Sequence, residues 1–396
     1  MLSSRVRNLK ESATLKINAQ VNRMKLEGKQ ILNLTAGEPD FPPPEVARRA
    51  AIEAVEKNLS KYTPTAGIPE LRELVAKKTN EQEPALVAAK RPWKASNVVV
   101  SNGGKQAIFN AIFSLIDQGD EVIIPAPYWL SYPEQVKAAA GTSVIVQTTA
   151  KAGYQISGTQ LEKAITAKTK LFIINSPSNP TGGLYPKAAL QELGQVLERH
   201  PHVWILSDEI YDYVEFEPRT WCAFLEANPN LRERTVVVNG LSKSGAMTGW
   251  RIGWSVTPDS LTPALIALQG HSTSGICSLS QAAAVASLKL SQGDFEPHRL
   301  EYLHRRNLAL EVLRKSAKIE VYEPKGAFYL FVDLKNVLKE NQDANGFAER
   351  VLQEIQVAVV SGVDFGAPTC IRLSFATDPK TIVEACQRLV DYVERY

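Results

Sequence analysis

Five short apolar runs along this chain each end in a cluster of small or polar residues, and a helix-like segment follows. The runs are residues 98–100, 122–124, 171–174, 203–206 and 236–238. Continuous apolar strands that alternate with helices are typical of a mostly parallel sheet covered by helices on both faces. Ligands of such sheets gather beyond the carboxyl ends of the strands. The polar clusters that follow the five runs are therefore the candidate site residues.

The pattern changes after about residue 285, which indicates a second domain. A chain of 396 residues has the length of two or three domains, at about 150 residues each. The later part contains strand candidates at 326–333 and 370–375 and helix candidates at 279–290, 297–315, 345–355 and 380–394. We expect a large α/β domain over residues 45–285 and a smaller α+β domain formed by residues 1–44 and 286–396.

Composition and charge argue against several functional classes. The formal net charge of +3 is nearly balanced for this length and predicts no nucleic-acid or membrane partner. The four cysteines are scattered without a CxxC pair, which fits a reducing cytosol rather than a zinc ribbon or disulfide scaffold. No stretch reaches the roughly 20 apolar residues of a membrane helix, and the basic start of the chain lacks a signal-peptide core. We expect a soluble, cytoplasmic protein.

Several generic motifs fail when they are tested against the sequence. Val99 occupies the first glycine position of a P-loop pattern, so that pattern is broken. Gly245, Gly249 and Gly253 are four residues apart, which is not the dinucleotide-binding spacing. The five histidines form no HExxH motif, and no nucleophile elbow occurs. These failures argue against metal-dependent, NAD-dependent and serine-hydrolase functions, and we expect no metal ion.

Two polar clusters suit an anionic, ring-shaped cofactor joined to a lysine. The GGK segment at 103–105 lies between a strand and a helix, where backbone N–H groups could hold a phosphate; a plain tight turn would have the same pattern. Ser242, Lys243 and Arg251 follow another strand and offer a hydroxyl, an amine and a guanidinium. Lys243 could form a Schiff base, whereas an isolated lysine in a turn is otherwise an exposed surface residue.

Two further residues fit the same kind of cofactor. Asp208 closes an apolar strand, where a carboxylate is costly unless it is paired. One use for this carboxylate is to keep a pyridine nitrogen protonated. Pyridoxal phosphate requires such a partner for its ring nitrogen. Trp129 lies just past a strand end and could stack on a ring or simply belong to the core.

Five segments together resemble one protein family. They are TAGEPDF at 35–41, YTPTAG at 62–67, NSPSNPTG at 175–182, SDEIY at 207–211 and SKSGAMTGWR at 242–251. In this order they are similar to the motifs of the fold-type I, pyridoxal-phosphate-dependent aminotransferases of classes I and II, nearest to the bacterial aspartate aminotransferases. The resemblance runs from about residue 12 to the C-terminus. It implies a large domain with a mostly parallel seven-stranded sheet between helices, and a smaller α+β domain.

The resemblance implies roles for the residues on the cofactor side. Lys243 corresponds to the lysine that forms an aldimine (a Schiff base) with pyridoxal 5′-phosphate and then moves the substrate proton. Asp208 corresponds to the carboxylate paired with the ring nitrogen. Tyr211 and Asn179 correspond to the groups that hydrogen-bond the phenolic oxygen of the cofactor, and Trp129 to the aromatic residue on the ring face.

The resemblance also implies how the phosphate and the substrate are held. The matching phosphate-cup residues are Gly104, Lys105, Ser242 and Arg251. Tyr62 resembles a residue that reaches the phosphate of the neighbouring subunit, which implies a homodimer with shared active sites. Arg372 corresponds to the arginine that binds the substrate α-carboxylate, and Gly37 supplies a backbone contact to the same carboxylate. Trp129 and Asn179 also border the substrate.

An acidic substrate needs a second partner for its distal carboxylate. The segment HSTS at 271–274 has no arginine where the animal-type enzymes use one. The bacterial subgroup instead uses the lysine of a GGKQ turn, here Lys105, with a Ser-Ala-Thr segment, here Ser12, Ala13 and Thr14. A cation and a hydroxyl in this place favour aspartate, glutamate and their oxo acids.

The implied activity is a ping-pong transfer of an amino group between aspartate or glutamate and 2-oxo acids through the Lys243 aldimine. Thr14 with Lys105 also resembles the pattern of members that convert prephenate to arogenate, and Lys10 is a further candidate. Alternatives on the same fold are aromatic, alanine and kynurenine aminotransferases and C–S lyases. A non-enzymatic ligand-binding module of a transcription regulator would need a preceding winged helix-turn-helix domain, for which we expect no room before Thr35.

Overall fold

The computed structural model describes residues 3–7, 9–11, 13–216 and 220–395. The strands are β1 Leu32–Asn33, β2 Val98–Asn102, β3 Glu121–Ala126, β4 Thr142–Gln147, β5 Thr169–Asn175, β6 Trp204–Asp208, β7 Thr235–Gly240, β8 Ile252–Val256, β9 Glu320–Tyr322, β10 Tyr329–Asp333, β11 Val357–Ala358, β12 Val360–Ser361 and β13 Cys370–Ser374. The helices are α1 Ser4–Arg7, α2 Ala13–Leu26, α3 Glu45–Glu56, α4 Pro69–Gln82, α5 Pro84–Ala88, α6 Gly104–Leu115, α7 Ser131–Ala138, α8 Gly158–Ala164, α9 Lys187–Arg199, α10 Phe224–Ala227, α11 Thr262–Gly270, α12 Ser278–Leu288, α13 Glu296–Leu313, α14 Ala344–Glu354 and α15 Pro379–Arg395.

The largest sheet has seven strands in the order β2-β8-β7-β6-β5-β3-β4. The pairs β3–β4, β3–β5, β5–β6 and β6–β7 are parallel, and β8 is antiparallel to both of its neighbours. Val98 and Val100 belong to one buried cluster and Val99 to another, because successive side chains of a strand point to opposite faces. Both faces of the sheet are therefore covered, and the predicted α/β fold class with its mostly parallel seven-stranded sheet is confirmed.

Each of the five predicted strands is present in this sheet, but the apolar pattern missed β4 and β8. β4 is the edge strand, and most of its side chains are only partly buried or exposed, so its sequence lacks the continuous apolar run of a central strand. β8 is completely buried, but Gly253 and Ser255 interrupt its apolar sequence. Missing β8 mattered, because it connects β2 to β7.

A second, antiparallel sheet is formed by the later part of the chain in the order β12-β13-β10-β9. The two predicted strands in this region are confirmed as β10 and β13, and the four predicted helices as α12, α13, α14 and α15. N-terminal residues join this part: β1 pairs with β11, and Val21 and Met24 of α2 pack against Leu352 and Ala358. The two clusters around the large sheet contain buried residues only between Ala47 and Leu288. We therefore keep the division into 45–285 and 1–44 plus 286–396 as a proposal.

No helix in the described part of the chain has the length and apolar character needed to cross a membrane. All four cysteines are free thiols; Cys370 and Cys386 are buried, Cys222 is partly buried and Cys277 is exposed. Cys277 lies at the surface just before α12.

The turn between β2 and α6 is pressed against β8, and this contact permits no side chain on β8 at residue 253. A Cβ atom at Gly253 would lie 2.2 Å from the backbone nitrogen of Gly104 and 2.4 Å from the carbonyl carbon of Gly103. Gly103 itself has a positive φ of 81°, which glycine adopts at little cost. The glycines therefore fix the distance between the turn and the sheet.

We expect Gly253→Ala to destabilise the chain by about 1–3 kcal/mol, as overpacking of a buried contact does. Gly249→Ala is the matched control, because a Cβ atom at Gly249 would meet nothing within 4 Å. Denaturant unfolding of both variants measures the difference. Equal stability of the two variants would contradict the close approach of β8 to the turn.

Candidate active site

One cavity of about 340 Å³ lies at the carboxyl ends of the parallel strands, where the polar clusters were predicted to meet. It brings together twelve of the thirteen predicted site residues. They are Thr14, Gly37, Gly104, Lys105, Trp129, Asn179, Asp208, Tyr211, Ser242, Lys243, Arg251 and Arg372. Both sheets contribute, since Arg372 lies on β13 of the smaller sheet. Residues that are distant in sequence thus share one cavity.

Lys243 lies in the turn after β7 and is largely enclosed by the cavity wall. Its Nζ donates a hydrogen bond to the carbonyl oxygen of Gly37. Burial, with the positive charge of Arg372 as the next cause, lowers the pKa of Lys243 from 10.5 to about 8. At pH 8 the neutral amine is therefore on the order of a hundredfold more abundant than in an ordinary lysine. A neutral amine is the nucleophilic form.

Asp208 ends β6 and is only 4% exposed. The Tyr132 hydroxyl donates to its Oδ2 at 2.6 Å, and the backbone N–H of Ile210 to its Oδ1 at 3.2 Å. Burial raises the pKa of Asp208 to about 6, while these hydrogen bonds and the positive charge of Lys243 act in the opposite direction. The carboxylate is thus ionised at neutral pH, as a partner for a cationic ring nitrogen must be.

Arg372 is 2% exposed and is oriented by polar contacts with the segments that follow β5 and β1. Its Nη1 donates to Asn179 Oδ1 at 2.9 Å, and its Nη2 to the carbonyl oxygen of Thr35 at 3.0 Å. The guanidinium carbon lies 4.3 Å from the centroid of the Tyr329 ring, a cation–π distance. A buried guanidinium held in this way is a rigid fork for a carboxylate ligand.

The turn and helix N-terminus at residues 103–105 form one end of the cavity. The first N–H groups of a helix lack partners within the helix and attract anions, and α6 begins at Gly104. Arg251 donates from Nη2 to the carbonyl oxygen of Asn102 at 2.9 Å and from Nη1 to that of Thr248 at 2.8 Å. Burial, followed by the charge of Arg251, lowers the pKa of Lys105. This end therefore concentrates donors for an anion.

The N-terminal helix α2 borders the cavity through Thr14 and Asn18. The Lys105 Nζ, which also lines the cavity, lies 5.2 Å from the centroid of the Trp129 ring. Ser12, which was predicted with Thr14, lies outside the described residues, as does the side chain of Ala13. Lys10 donates its backbone N–H to Glu134 at 2.9 Å and does not line the cavity in this chain.

Tyr62 is the predicted site residue that the single chain does not bring to the cavity. It is fully exposed and lines a separate open groove with Lys61, Thr63 and residues 275–279. Its expected role therefore depends on a second subunit.

Sequence reasoning missed several residues in the cavity wall or directly behind it. Tyr132 bonds Asp208, and the Tyr329 hydroxyl lies 2.8 Å from the Tyr211 hydroxyl. Glu38 also lines the cavity and accepts a hydrogen bond from Thr248 at 2.7 Å. Tyr132 could have been suspected, because it follows the candidate ring-stacking residue Trp129 by only three positions. Tyr329 gave no such signal, since an aromatic residue in a buried strand has the pattern of a core residue.

Within the described ranges, no group of three or more His, Cys, Asp or Glu side chains could hold a metal ion. The ionisable groups of the cavity are instead cations facing two carboxylates, Glu38 and Asp208. Such a donor set suits a ligand with several anionic groups.

The comparisons with known proteins agree with this geometry. The family model for aminotransferases of class I and II matches residues 29–389, and the chain belongs to that family. A probable aspartate/prephenate aminotransferase of Rickettsia felis is 39% identical over 396 residues, covering 98% of this chain and 95% of the relative. An aspartate/prephenate aminotransferase of Cereibacter sphaeroides is 38% identical, with coverage of 98% and 97%.

Solved structures of aspartate aminotransferases have the same fold along nearly the whole chain. The crystal structure of the enzyme from Rhizobium meliloti superposes with a TM-score of 0.94 at 36% identity, covering 100% of this chain and 99% of the other. The enzyme from Thermus thermophilus with maleate gives a TM-score of 0.92 at 37% identity, with 99% coverage of each chain.

Replacing Lys243 by methionine should stabilise the cofactor-free chain at pH 7 by about 3 kcal/mol, since a buried ammonium is penalised. The pKa of Lys243 is about 8 in the folded chain, below its ordinary 10.5. The unfolded chain therefore binds more protons between these values, and the stability of the wild type rises with pH across this window. The advantage of Lys243→Met should thus shrink from pH 8 to about pH 10.5.

Denaturant unfolding of both chains at pH 7, 9 and 10.5 measures this difference. Lys77→Met is the control, because the Lys77 side chain is 71% exposed and its replacement should give no such pH dependence. A gap between wild type and Lys243→Met that stays constant with pH would contradict the lowered pKa.

Proposed function

We propose that this chain is a pyridoxal 5′-phosphate-dependent aspartate aminotransferase. The observation that carries the proposal is an enclosed lysine of lowered pKa, Lys243, which shares one cavity with a buried carboxylate, Asp208, and a buried guanidinium, Arg372. The names of the full-length relatives and solved structures support the same activity. Amino-group transfer needs these three functions together: a reactive amine, a partner for the cofactor ring and a receptor for the substrate carboxylate.

The residues of the cavity fit this cofactor. The N-terminus of α6, the Ser242 hydroxyl and the Arg251 guanidinium form a donor set for a phosphate group. A Cβ atom at Gly103 would lie 2.6 Å from Arg251 Nη2, so glycine at this position leaves the space that the guanidinium occupies. Asp208, at the end of β6, supplies the anionic partner for a ring nitrogen. Trp129 and Tyr211 provide the aromatic and hydroxyl groups that the family uses around the ring.

When bound, pyridoxal phosphate supplies an aldehyde that takes up the amino group and a ring that withdraws electrons from the substrate Cα. Lys243, whose pKa is about 8, then serves as the base that removes the Cα proton and the acid that returns it. Asp208, ionised above about pH 6, keeps the ring nitrogen protonated. Asn179 orients Arg372, because its Oδ1 accepts a hydrogen bond from the guanidinium.

The substrate assignment rests on two cations at separate places in the cavity. Arg372 is positioned to bind the α-carboxylate in a bidentate manner, with the Gly37 backbone beside it. Lys105 and Thr14 supply a cation and a hydroxyl for a distal carboxylate. Aspartate, glutamate and their 2-oxo acids each carry both carboxylates, so the same cavity serves both halves of a ping-pong cycle.

Prephenate is a second proposed substrate. The relatives from Rickettsia felis and Cereibacter sphaeroides carry aspartate/prephenate names, and this chain shares their length and family. Prephenate carries a ring carboxylate in addition to its oxo-acid group, so Lys105 is a suitable partner for it as well.

The proposal includes a homodimer in which Tyr62 reaches the phosphate end of the partner's cavity. Two buried glutamines fix the segment that follows Tyr62: Gln281 donates to Thr63 Oγ1 at 2.9 Å, and Gln269 to the Thr65 carbonyl oxygen at 2.8 Å. A fully exposed tyrosine on a segment held this firmly suits a residue presented to a second subunit. α3 also exposes Val46, Ile52 and Val55.

We propose the cytoplasm as the location, since four free thiols suit a reducing compartment.

The full chain loaded with pyridoxal phosphate should convert aspartate and 2-oxoglutarate to oxaloacetate and glutamate, and Lys243→Ala should abolish this turnover. Borohydride reduction followed by peptide mapping should locate the cofactor on Lys243.

The turnover assay with prephenate and glutamate tests the second substrate. Substantial turnover by Lys243→Ala, or a label on another lysine, would reject the assignment. Preference for tyrosine, alanine or kynurenine, or β-elimination from a sulfur amino acid, would move the chain to an alternative within the fold.

Lys105→Ser should lower kcat/KM for aspartate by about tenfold to a hundredfold, the cost of losing a charged hydrogen-bond donor. The loss for an aromatic amino acid should be much smaller, because its side chain has no carboxylate for Lys105 to bind. Each substrate serves as the control for the other, since a general loss of cofactor binding lowers both values equally. Equal losses would reject Lys105 as the selector of acidic substrates.

A further inference from the structure

The carboxylate of Asp208 is held by one side-chain hydrogen bond among the described residues, and that bond comes from Tyr132. The two oxygens are 2.6 Å apart, a short distance typical of a hydroxyl that donates to a charged carboxylate. Tyr132 is 2% exposed and lies in the first turn of α7. None of the sequence motifs includes Tyr132.

We propose that Tyr132 is a positioning residue of this active site, whose hydroxyl keeps Asp208 oriented and ionised so that Asp208 can pair with the cofactor ring nitrogen. The inference rests on the proposed function, since it assigns to Tyr132 a role in binding that cofactor. Tyr132 acts only through Asp208 and does not itself line the cavity.

The direction of the hydrogen bond follows from the two ionisation states. Burial and the negative charge of Asp208 raise the pKa of Tyr132 well above its ordinary value of 10, so the phenol keeps its proton at every pH of interest. An ionised carboxylate can only accept hydrogen bonds. Tyr132 therefore always donates, and its donation favours the charged form of Asp208.

The other groups that act on Asp208 cannot replace this contact. The Ile210 N–H donates a hydrogen bond to the other carboxylate oxygen, at 3.2 Å. Lys243 is the cation that favours ionisation of Asp208. Tyr211 and Glu209 also face Asp208, and the negative charge of Asp208 raises the pKa of both.

The ring of Tyr132 has a separate structural role. It packs edge-to-face against Trp129, with ring centroids 5.3 Å apart and an interplanar angle of 83°. Its backbone N–H donates to the carbonyl oxygen of Trp129 at 3.0 Å. A phenylalanine at this position keeps both contacts and removes only the hydroxyl.

The first test is a pH titration of Asp208 in the full chain stripped of cofactor. The infrared band of protonated carboxyl groups is the measured signal. The Asp208 component is the part that disappears in Asp208→Asn. Tyr132→Phe should move this component upward by about one to two pH units, the loss of one charge-assisted hydrogen bond. Tyr185→Phe is the matched control: Tyr185 is also buried, and its hydroxyl accepts one hydrogen bond, from Ile156 at 3.0 Å. An Asp208 titration in Tyr132→Phe that matches the wild type overturns the proposal.

The second test measures the affinity of the stripped chains for pyridoxal phosphate as a function of pH. If Asp208 of Tyr132→Phe titrates near pH 8, its affinity should be about tenfold lower than that of the wild type at pH 7 and should recover by pH 9. A merely structural defect would give a loss that pH does not rescue, and that result, or no loss, overturns the role of Tyr132 in cofactor binding.

Two further measurements distinguish failure of the Tyr132 proposal from failure of folding and from failure of the proposed function. If Tyr132→Phe does not fold, 3-fluorotyrosine at position 132 should lower the pKa of Asp208, because a more acidic phenol donates a stronger hydrogen bond; an unchanged titration overturns the proposal. Failure of the proposed function gives a different result, since a wild-type chain that binds no pyridoxal phosphate at any pH can still show the Tyr132-dependent titration of Asp208.

Discussion

The parallel register of β5, β6 and β7 is the constraint on which the site depends. Asn175 pairs with Asp208, and Asp208 pairs with Val238, so β5 and β6 end at one level, β7 ends two residues later at Gly240, and the segments after them meet at one edge. A slip of one residue would turn Asp208 to the opposite face of the sheet. Backbone pairing therefore sets the distance between Asp208 and the turn that carries Lys243, before any side-chain contact is made.

Burial then moves the two ionisable groups in opposite directions. The pKa of Asp208 rises to about 6 and that of Lys243 falls to about 8, because each charged form loses hydration. Above pH 6 the carboxylate is charged, and near pH 8 the amine becomes neutral in a large fraction of molecules. The same enclosed cavity thus prepares an anion for a ring and a free amine for a reaction. Functional sites commonly reduce folding stability in this way.

The site was predictable from sequence to the extent that its residues directly follow apolar strands. Asp208 and Lys243 could be placed because a strand end locates both of them. Arg372 lies in the smaller sheet, and only the resemblance to a family connected it with Lys243. Tyr132 and Tyr329 were missed because their pattern is that of core aromatics, and the contacts of their hydroxyls exist only in three dimensions. β4 and β8 were missed for a similar reason, since edge exposure and glycine hide their strand character.

The wall of the cavity consists of two kinds of segment. The phosphate end is formed by strand ends and by a turn that leaves no space for a side chain at Gly253. Another part of the wall includes Thr14 and Asn18 of α2, and Val21 and Met24 of the same helix pack against Leu352 and Ala358. Laboratory evolution of new amino-donor preferences should therefore randomise α2 and leave the glycine positions unchanged. In such a library, variation reaches the ligand pocket without disturbing the core of the large sheet.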